Sequence, residues 1–184
     1  MHTAVIYRSH YGATRQYAQW IAQSLNADVL DGKGVHVRDL ECYTQLIFGG
    51  GLYAGGISGA KFVARHFDRL CEKRLLFFTV GLADPALPET VTAISKTLDQ
   101  IFDARMRAHI AFFHLRGQMD YAALSPVHRA MMGMLKRMLE RKDPTALSDQ
   151  DRQLLATYGQ HPCFMDQSSL APLLACAREE SPSK

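Results

Sequence analysis

The sequence predicts an α/β fold built on a doubly wound, five-stranded parallel sheet. Three observations predict it. Short apolar, β-branched runs alternate with segments of helical periodicity over the first 115 residues. One of these runs, Leu75 to Val80, is continuously apolar, as a strand covered on both faces must be. The turn from the first run into the first helical segment is short and carries glycine and hydroxyl residues.

Taken in order, Thr3 to Tyr7 is the first strand, and Thr14 to Leu25 the first helix, with Tyr17, Ala18, Ile21, Ala22 and Leu25 at helical spacing. A brief second strand is expected at Ala27 to Leu30, followed by a Gly-rich stretch from Asp31 to Gly34. Tyr43 to Phe48 is the third strand, ending in Gly49-Gly50-Gly51. Lys61 to Leu70 reads as a helix with Phe62, Val63, His66, Phe67 and Leu70 on one face. After the fourth strand, Pro88 to Phe102 is a helix with Val91, Ile94, Leu98 and Ile101 inward, and Ala108 to Leu115 is the fifth strand.

The remainder is less regular. Gly117 to Leu124 is a loop, Ser125-Pro126 an N-cap with proline at the first helical position, and Asp143-Pro144 a stop. Ser148 with Asp151 resembles a capping box opening a second short helix that ends near Gly159. Ser169 to Arg178 is a final helix covering the sheet. Residues 1–184 thus read as one domain, with an insertion at about 117–160 between the fifth strand and the last helix.

Composition narrows the function. Apolar residues make up 47% of the chain, ordinary for a soluble globule. Cys42, Cys71, Cys163 and Cys176 form no CxxC pair and have no histidine in a metal-ligand pattern, which points to reduced thiols and no metal. The longest nearly apolar stretch, Leu75 to Ala83, is about half of a membrane span, and the N-terminus lacks signal-peptide order. A cytoplasmic location is expected. The net charge of +3 is too mild to imply nucleic acid, although His128 to Lys142 holds five Lys/Arg and one Glu.

The loop Ser9-His10-Tyr11-Gly12-Ala13-Thr14 carries the chemistry. A strand-to-helix turn gathers free backbone N–H groups at the positive end of a helix dipole, which suits a phosphate. Ser9 and Thr14 add hydroxyl donors, Gly12 permits the tight path, Arg15 adds charge at the rim, and no acid lies between Met1 and Leu25. The plain alternative is a βα loop in which Ser and Thr are ordinary caps. GxGxxG is absent after the first strand, GxxxxGK[ST] is absent from Gly56 to Phe62, and Tyr7-Arg8-Ser9-His10 lacks the acidic cluster of a receiver domain.

In Ser9, Gly12 and Thr14 the loop resembles the [ST]-x-x-G-x-T pattern of the flavodoxin family, departing at Tyr11, where many members have a third hydroxyl residue. The resemblance implies strand order 2-1-3-4-5 with the ligand crevice outside the strand carboxyl ends. It implies FMN as cofactor, with its phosphate in residues 9–14 and its ring against Gly50, Gly51, Leu52, Tyr53, Ala54 and Gly55. Tyr53 is the candidate for ring stacking, the alternative being a surface tyrosine at a loop tip. The loop Gly81-Leu82-Ala83-Asp84 resembles the family's second flavin loop, G-x-G-D, at Gly81 and Asp84, which implies that these four residues border the ring. No side chain stands out as a general acid or base, and the resemblance puts the chemistry on flavin N5.

Dedicated flavodoxins are strongly acidic, and this chain is slightly basic. The run Leu115-Arg116-Gly117-Gln118-Met119-Asp120-Tyr121, leading into a basic, Met-rich helix, resembles the bacterial menaquinone-dependent protoporphyrinogen oxidases. That resemblance implies an oxidoreductase with a quinone acceptor. An electron-transfer flavodoxin serving a redox partner protein, and an interaction protein without FMN, stay open at this point. In the helix from Pro126 to about Arg141, Val127, Ala130, Met131, Met134, Leu135, Met138 and Leu139 form one apolar stripe, with His128, Arg129, Lys136, Arg137 and Arg141 on the other side. The stripe either packs on the domain or, bordering the flavin site, meets a membrane surface at its inner face or an apolar ligand.

Overall fold

The computed structural model describes residues 2–53 and 55–179. The elements are β1 (Thr3–Arg8), α1 (Ala13–Leu25), β2 (Asp28–Asp31), β3 (Gln45–Tyr53), β4 (Gly56–Ile57), α2 (Ala60–Arg65) and α3 (Phe67–Leu70). They continue with β5 (Arg74–Gly81), α4 (Pro88–Asp99), α5 (Ala104–His109), β6 (Ile110–Arg116), α6 (Pro126–Glu140), α7 (Asp149–Thr157) and α8 (Ala171–Arg178). The long strands are parallel in the order β2-β1-β3-β5-β6, which is the expected 2-1-3-4-5, and the short β4 pairs antiparallel with β3.

Alternation along the central strands divides their side chains between two cores. Ile6, Phe48 and Phe77 pack on one face with Phe67, Leu98 and Phe102. Val5, Ile47 and Phe78 pack on the other with Tyr17 and Ile21 of α1 and Leu173 of α8. Leu75 to Val80 is buried throughout, and each such large apolar side chain contributes about 1.5 to 3 kcal/mol.

Several elements differ from expectation for identifiable reasons. The third strand does not stop at Phe48 but runs through the glycine triplet to Tyr53. A Cβ on Gly49 would meet Cζ of Phe78 at 2.2 Å, and one on Gly50 would meet the carbonyl oxygen of Ser58 at 2.4 Å. Close packing inside the sheet, not loop freedom, requires those two glycines. The strand then turns back at Gly55, whose φ is 77°.

The helix expected over 61–70 is interrupted at His66, with φ −109° and ψ 15°, leaving α2 and α3. In α4 the inward row is Thr90, Ile94 and Leu98, at i, i+4 and i+8, while Val91 is 40% exposed. The strand expected from Ala108 begins at Ile110, because residues 104–109 are helical, capped by Asp103, which accepts from the Met106 N–H at 2.8 Å. Ser125 and Ser148 cap α6 and α7 as expected, the second in a capping box with Asp151.

The segment after β6 leaves the sheet and returns to the same place. Gln118 and Cys163 form an antiparallel bridge, the Met119 N–H donates to the Pro162 carbonyl, and the Phe164 N–H donates to the Gly117 carbonyl, both at 3.0 Å. Tyr17 fastens this neck to α1: its hydroxyl donates to the Arg116 carbonyl at 2.7 Å and accepts from the Asp166 N–H at 3.0 Å. No helix among the described residues is long and apolar enough to cross a membrane.

Candidate functional site

Between β1 and α1 the chain turns at Gly12, the N-cap of α1, with φ 93° and ψ −30°. A side chain is strained at that φ. No side chain caps the helix; the Ser9 hydroxyl instead accepts from the Gly12 N–H at 3.0 Å. The first helical bond runs from Gln16 N–H to the Gly12 carbonyl, so the N–H groups of residues 13–15 open outward at the positive end of the dipole. Thr14 is 3% exposed, and a Cβ on Gly51 would come 3.4 Å from its hydroxyl. Arg15 is exposed at the rim.

A cleft begins at this turn. Ser9, His10, Tyr11, Ala13 and Thr14 form one wall, with Gly51, Leu52 and Tyr53 beside them. Val80, Gly81 and Leu82 follow from β5, and Gly117, Gln118 and Met119 from beyond β6. All of these stand at or past the carboxyl ends of parallel strands, where ligands of open α/β sheets lie. Among the described residues no carboxylate lines the cleft to oppose an anion.

Four rings gather over the cleft. Tyr53 stacks on His10 at 4.7 Å between centroids and 21° between planes, and meets the His128 ring edge-on at 4.3 Å. The Tyr11 hydroxyl lies 3.4 Å from that of Tyr53 and 3.0 Å from Nδ1 of His128. The same Nδ1 is 2.7 Å from the Ser125 hydroxyl that caps α6. Tyr53 is therefore no isolated loop-tip residue. The free volume beneath the rings is about 70 Å³, well under the few hundred Å³ of a pocket that encloses a whole cofactor. Phosphate-sized space is present, and a tricyclic ring requires the four side rings to part.

The cleft thus unites most of the residues expected from the sequence and leaves some out. Gly12 sits exposed on the turn rather than in the wall. Gly50 is turned toward Ser58, Ile57 and Phe77, and Gly55 makes the hairpin turn. Ala54 lies outside the described residues. Ala83 lines a neighbouring cavity of about 340 Å³ with Leu135 of α6, Leu154 of α7 and Phe164. Asp84 pairs with Arg116 at 3.1 Å; that guanidinium also donates to the Leu82 carbonyl and lies 3.8 Å above the Phe164 ring. His128 was not foreseen at the site, because on a helical wheel it falls among the basic residues opposite the stripe.

The α6 stripe itself is divided. Leu135 is half-buried and Leu139 buried, but Val127, Met131, Met134 and Met138 are exposed, from 48% to 75%. On the other side Lys136 is drawn over the Tyr158 ring and His128 against Tyr11 and Tyr53 at the rim of the cleft, leaving Arg129, Arg137 and Arg141 exposed. The helix is held by a row that includes His128, Met132, Leu135 and Leu139, rotated away from the stripe.

Behind the cleft, His114 of β6 faces Thr79 of β5, with Nδ1 2.9 Å from the buried hydroxyl. Burial, aided by the charge of Arg107, holds His114 below its ordinary pKa.

No curated protein matches the chain. Among solved structures, the Trp repressor binding protein from Bacillus subtilis is similar at 21% identity and TM-score 0.43, over 62% of this chain and 83% of that one. Oxidised flavodoxin 2 from Bacillus cereus is similar at 19% identity and TM-score 0.42, over 67% and 90%. An NADH:FMN oxidoreductase (EMOB) in its apo form is similar at 12% identity and TM-score 0.46, over 99% and 92%. Residues 4–146 match the flavodoxin domain profile, and the chain belongs to the flavodoxin domain family.

Proposed function

We propose that the protein is an FMN-dependent oxidoreductase of flavodoxin type, one domain over residues 1–184 with a lobe at about 117–160 closing over its cofactor. The observation that carries this reading is the uncapped N-terminus of α1, with Ser9 and the buried Thr14 hydroxyl beside it, opening into an acid-free cleft. The N–H groups of residues 13–15 and Thr14 hold the phosphate. Gly51, Leu52, Gly81 and Leu82 line the way to the ring, and Tyr53 with His10 offers it an aromatic face. FMN supplies the electron and hydride transfer when bound. The chain binds and orients it, and the lobe, through His128, keeps water from the cleft.

The donor or acceptor is proposed to be lipid-soluble, a quinone in a protoporphyrinogen oxidase-like reaction. What supports it is the row Val127, Met131, Met134 and Met138 left exposed beside Arg129, Arg137 and Arg141, an apolar strip with a basic border suited to the inner face of an anionic membrane. The test is the visible spectrum of the purified protein, FMN titration of the apoprotein, and anaerobic turnover with protoporphyrinogen and a menaquinone analogue. A yellow protein that turns over both supports the full reading. A yellow protein reduced by a reductase without such turnover is an electron-transfer flavodoxin. A colourless protein that takes up no FMN sinks both.

A further inference from the structure

A second hollow is roomier than the cleft at the phosphate loop. On the opposite face of the sheet, behind the β3–β4 hairpin, lies a cavity of about 320 Å³, within the range of small-molecule pockets. Its floor is apolar: Ile6, Phe48 and Phe77 of the core, with Phe62 of α2 at the side. Its mouth holds Arg8, Lys33 and Lys61, and among the described residues no carboxylate lines it. None of these three cationic heads has a hydrogen bond or ion pair among the described residues. The nearest acid in sequence, Asp31, is turned to its own backbone, accepting from the Lys33 N–H at 3.0 Å.

Arg8 is held in place. A Cβ on Gly32 would lie 3.0 Å from its Cδ, and one on Gly59, where φ is 82°, would lie 2.8 Å from its Cγ. Two glycines therefore form a slot for the stem of Arg8 at the edge of an aromatic floor. Three unneutralised cations around an apolar hollow are complementary to a ligand with an anionic end and a flat apolar body.

We propose that this cavity is a second ligand site, independent of the FMN cleft, that takes an aromatic anion such as an aryl phosphate. The charged group meets Arg8, Lys33 and Lys61, and the ring lies on Phe48, Phe62 and Phe77. The site uses no residue of the phosphate loop.

The test is calorimetric titration with 1-naphthyl phosphate in the presence of saturating FMN, at low and high salt, with 1-naphthol and inorganic phosphate as partial probes. Wild type and Thr14→Ala should bind naphthyl phosphate alike. Lys33→Gln/Lys61→Gln, at two exposed positions outside the core, should weaken it about tenfold while leaving FMN affinity unchanged. Adding Arg8→Gln should weaken it further, and each partial probe should bind less tightly than the whole. Failure of wild type to saturate in the millimolar range, or equal affinity in wild type and both charge variants, overturns the site. Loss of binding in Thr14→Ala places the probe at the phosphate loop and also overturns it.

Discussion

His128 Nδ1 lies 3.0 Å from the Tyr11 hydroxyl across 117 residues of sequence. The first turn of α6 is thereby fixed to the turn between β1 and α1, and with Tyr53 edge-on against the same imidazole the lobe forms a roof over the cleft. This polar contact links the lobe to the turn between β1 and α1. Removing it with His128→Ala is expected to cost about 0.5 to 1.5 kcal/mol of stability and to speed hydrogen exchange in α6 while leaving β3 and β5 protected. Exchange mass spectrometry resolves the two regions; unchanged protection of α6 would show that other contacts hold it.

Thr14→Ala is expected to weaken FMN binding by about 1 to 3 kcal/mol with the fold intact, since a charge-assisted hydrogen bond in a partly desolvated turn is lost. Gly12→Val should weaken it too, because valine does not adopt φ 93° without strain. Titration followed by flavin absorbance measures both, and unchanged affinity in both variants would move the phosphate elsewhere.

Tyr53→Ala should alter flavin fluorescence quenching and redox behaviour more than it alters thermal stability of the apoprotein. The ring stacks on an exposed histidine at the cleft and is absent from both cores. Equal quenching in the two proteins would remove Tyr53 from the ring site.

Gly49→Ala should be severely destabilising, by roughly 3 kcal/mol or more, because its methyl would fall 2.2 Å from the Phe78 ring in a fully buried layer. Gly12→Ala, with nothing within 4 Å of the added carbon, carries only the conformational strain. Urea midpoints of the two variants test the contrast.

His114, held below its ordinary pKa near 6.5 by burial, gains its proton more readily in the unfolded chain than in the folded one. Its contribution is fully present above pH 6.5 and is lost as pH falls from there toward the lowered folded value. Urea denaturation at stepped pH should show a loss of stability through that window, reduced in His114→Gln. Parallel profiles would assign the acid loss to other groups.

The exposed row on α6 should drive attachment to anionic liposomes at low salt, and changing Arg129, Lys136, Arg137 and Arg141 to Gln should reduce it at low and physiological salt alike. Lys136 will contribute less than the three arginines, being drawn over Tyr158. Co-sedimentation decides; no binding by wild type at low salt rules out the membrane and leaves a protein partner.

The five strands and the tight turn from β1 into α1 were legible in the sequence because both depend on local chemistry, whereas the strand order, which pairs distant segments, followed from the family resemblance. Five apolar runs and a Ser-x-x-Gly-x-Thr turn specify themselves within a few residues. The glycine triplet misled for the same reason: locally it reads as a loop, and only Phe78, a neighbour across the sheet, shows that Gly49 belongs to a strand. His128 was hidden likewise. Its role depends on the angle at which α6 docks, and helical periodicity reports which residues share a face but not which face turns inward. By pattern the stripe of Val127, Met131, Met134 and Met138 suits either packing or an exposed role, and it lies outside because His128, Leu135 and Leu139 set the rotation.

The bridge between Gln118 and Cys163 makes the lobe a cassette on a pinched stem. Once the stem forms, the entropy of closing that long loop no longer weighs on the sheet, which keeps its register whatever the lobe contains. Gly117, Phe164 and Tyr17 fasten the stem by contacts that do not involve the helices beyond it. The clamp thus lets the sheet edge and the excursion be held separately, with the cleft lying where the two meet.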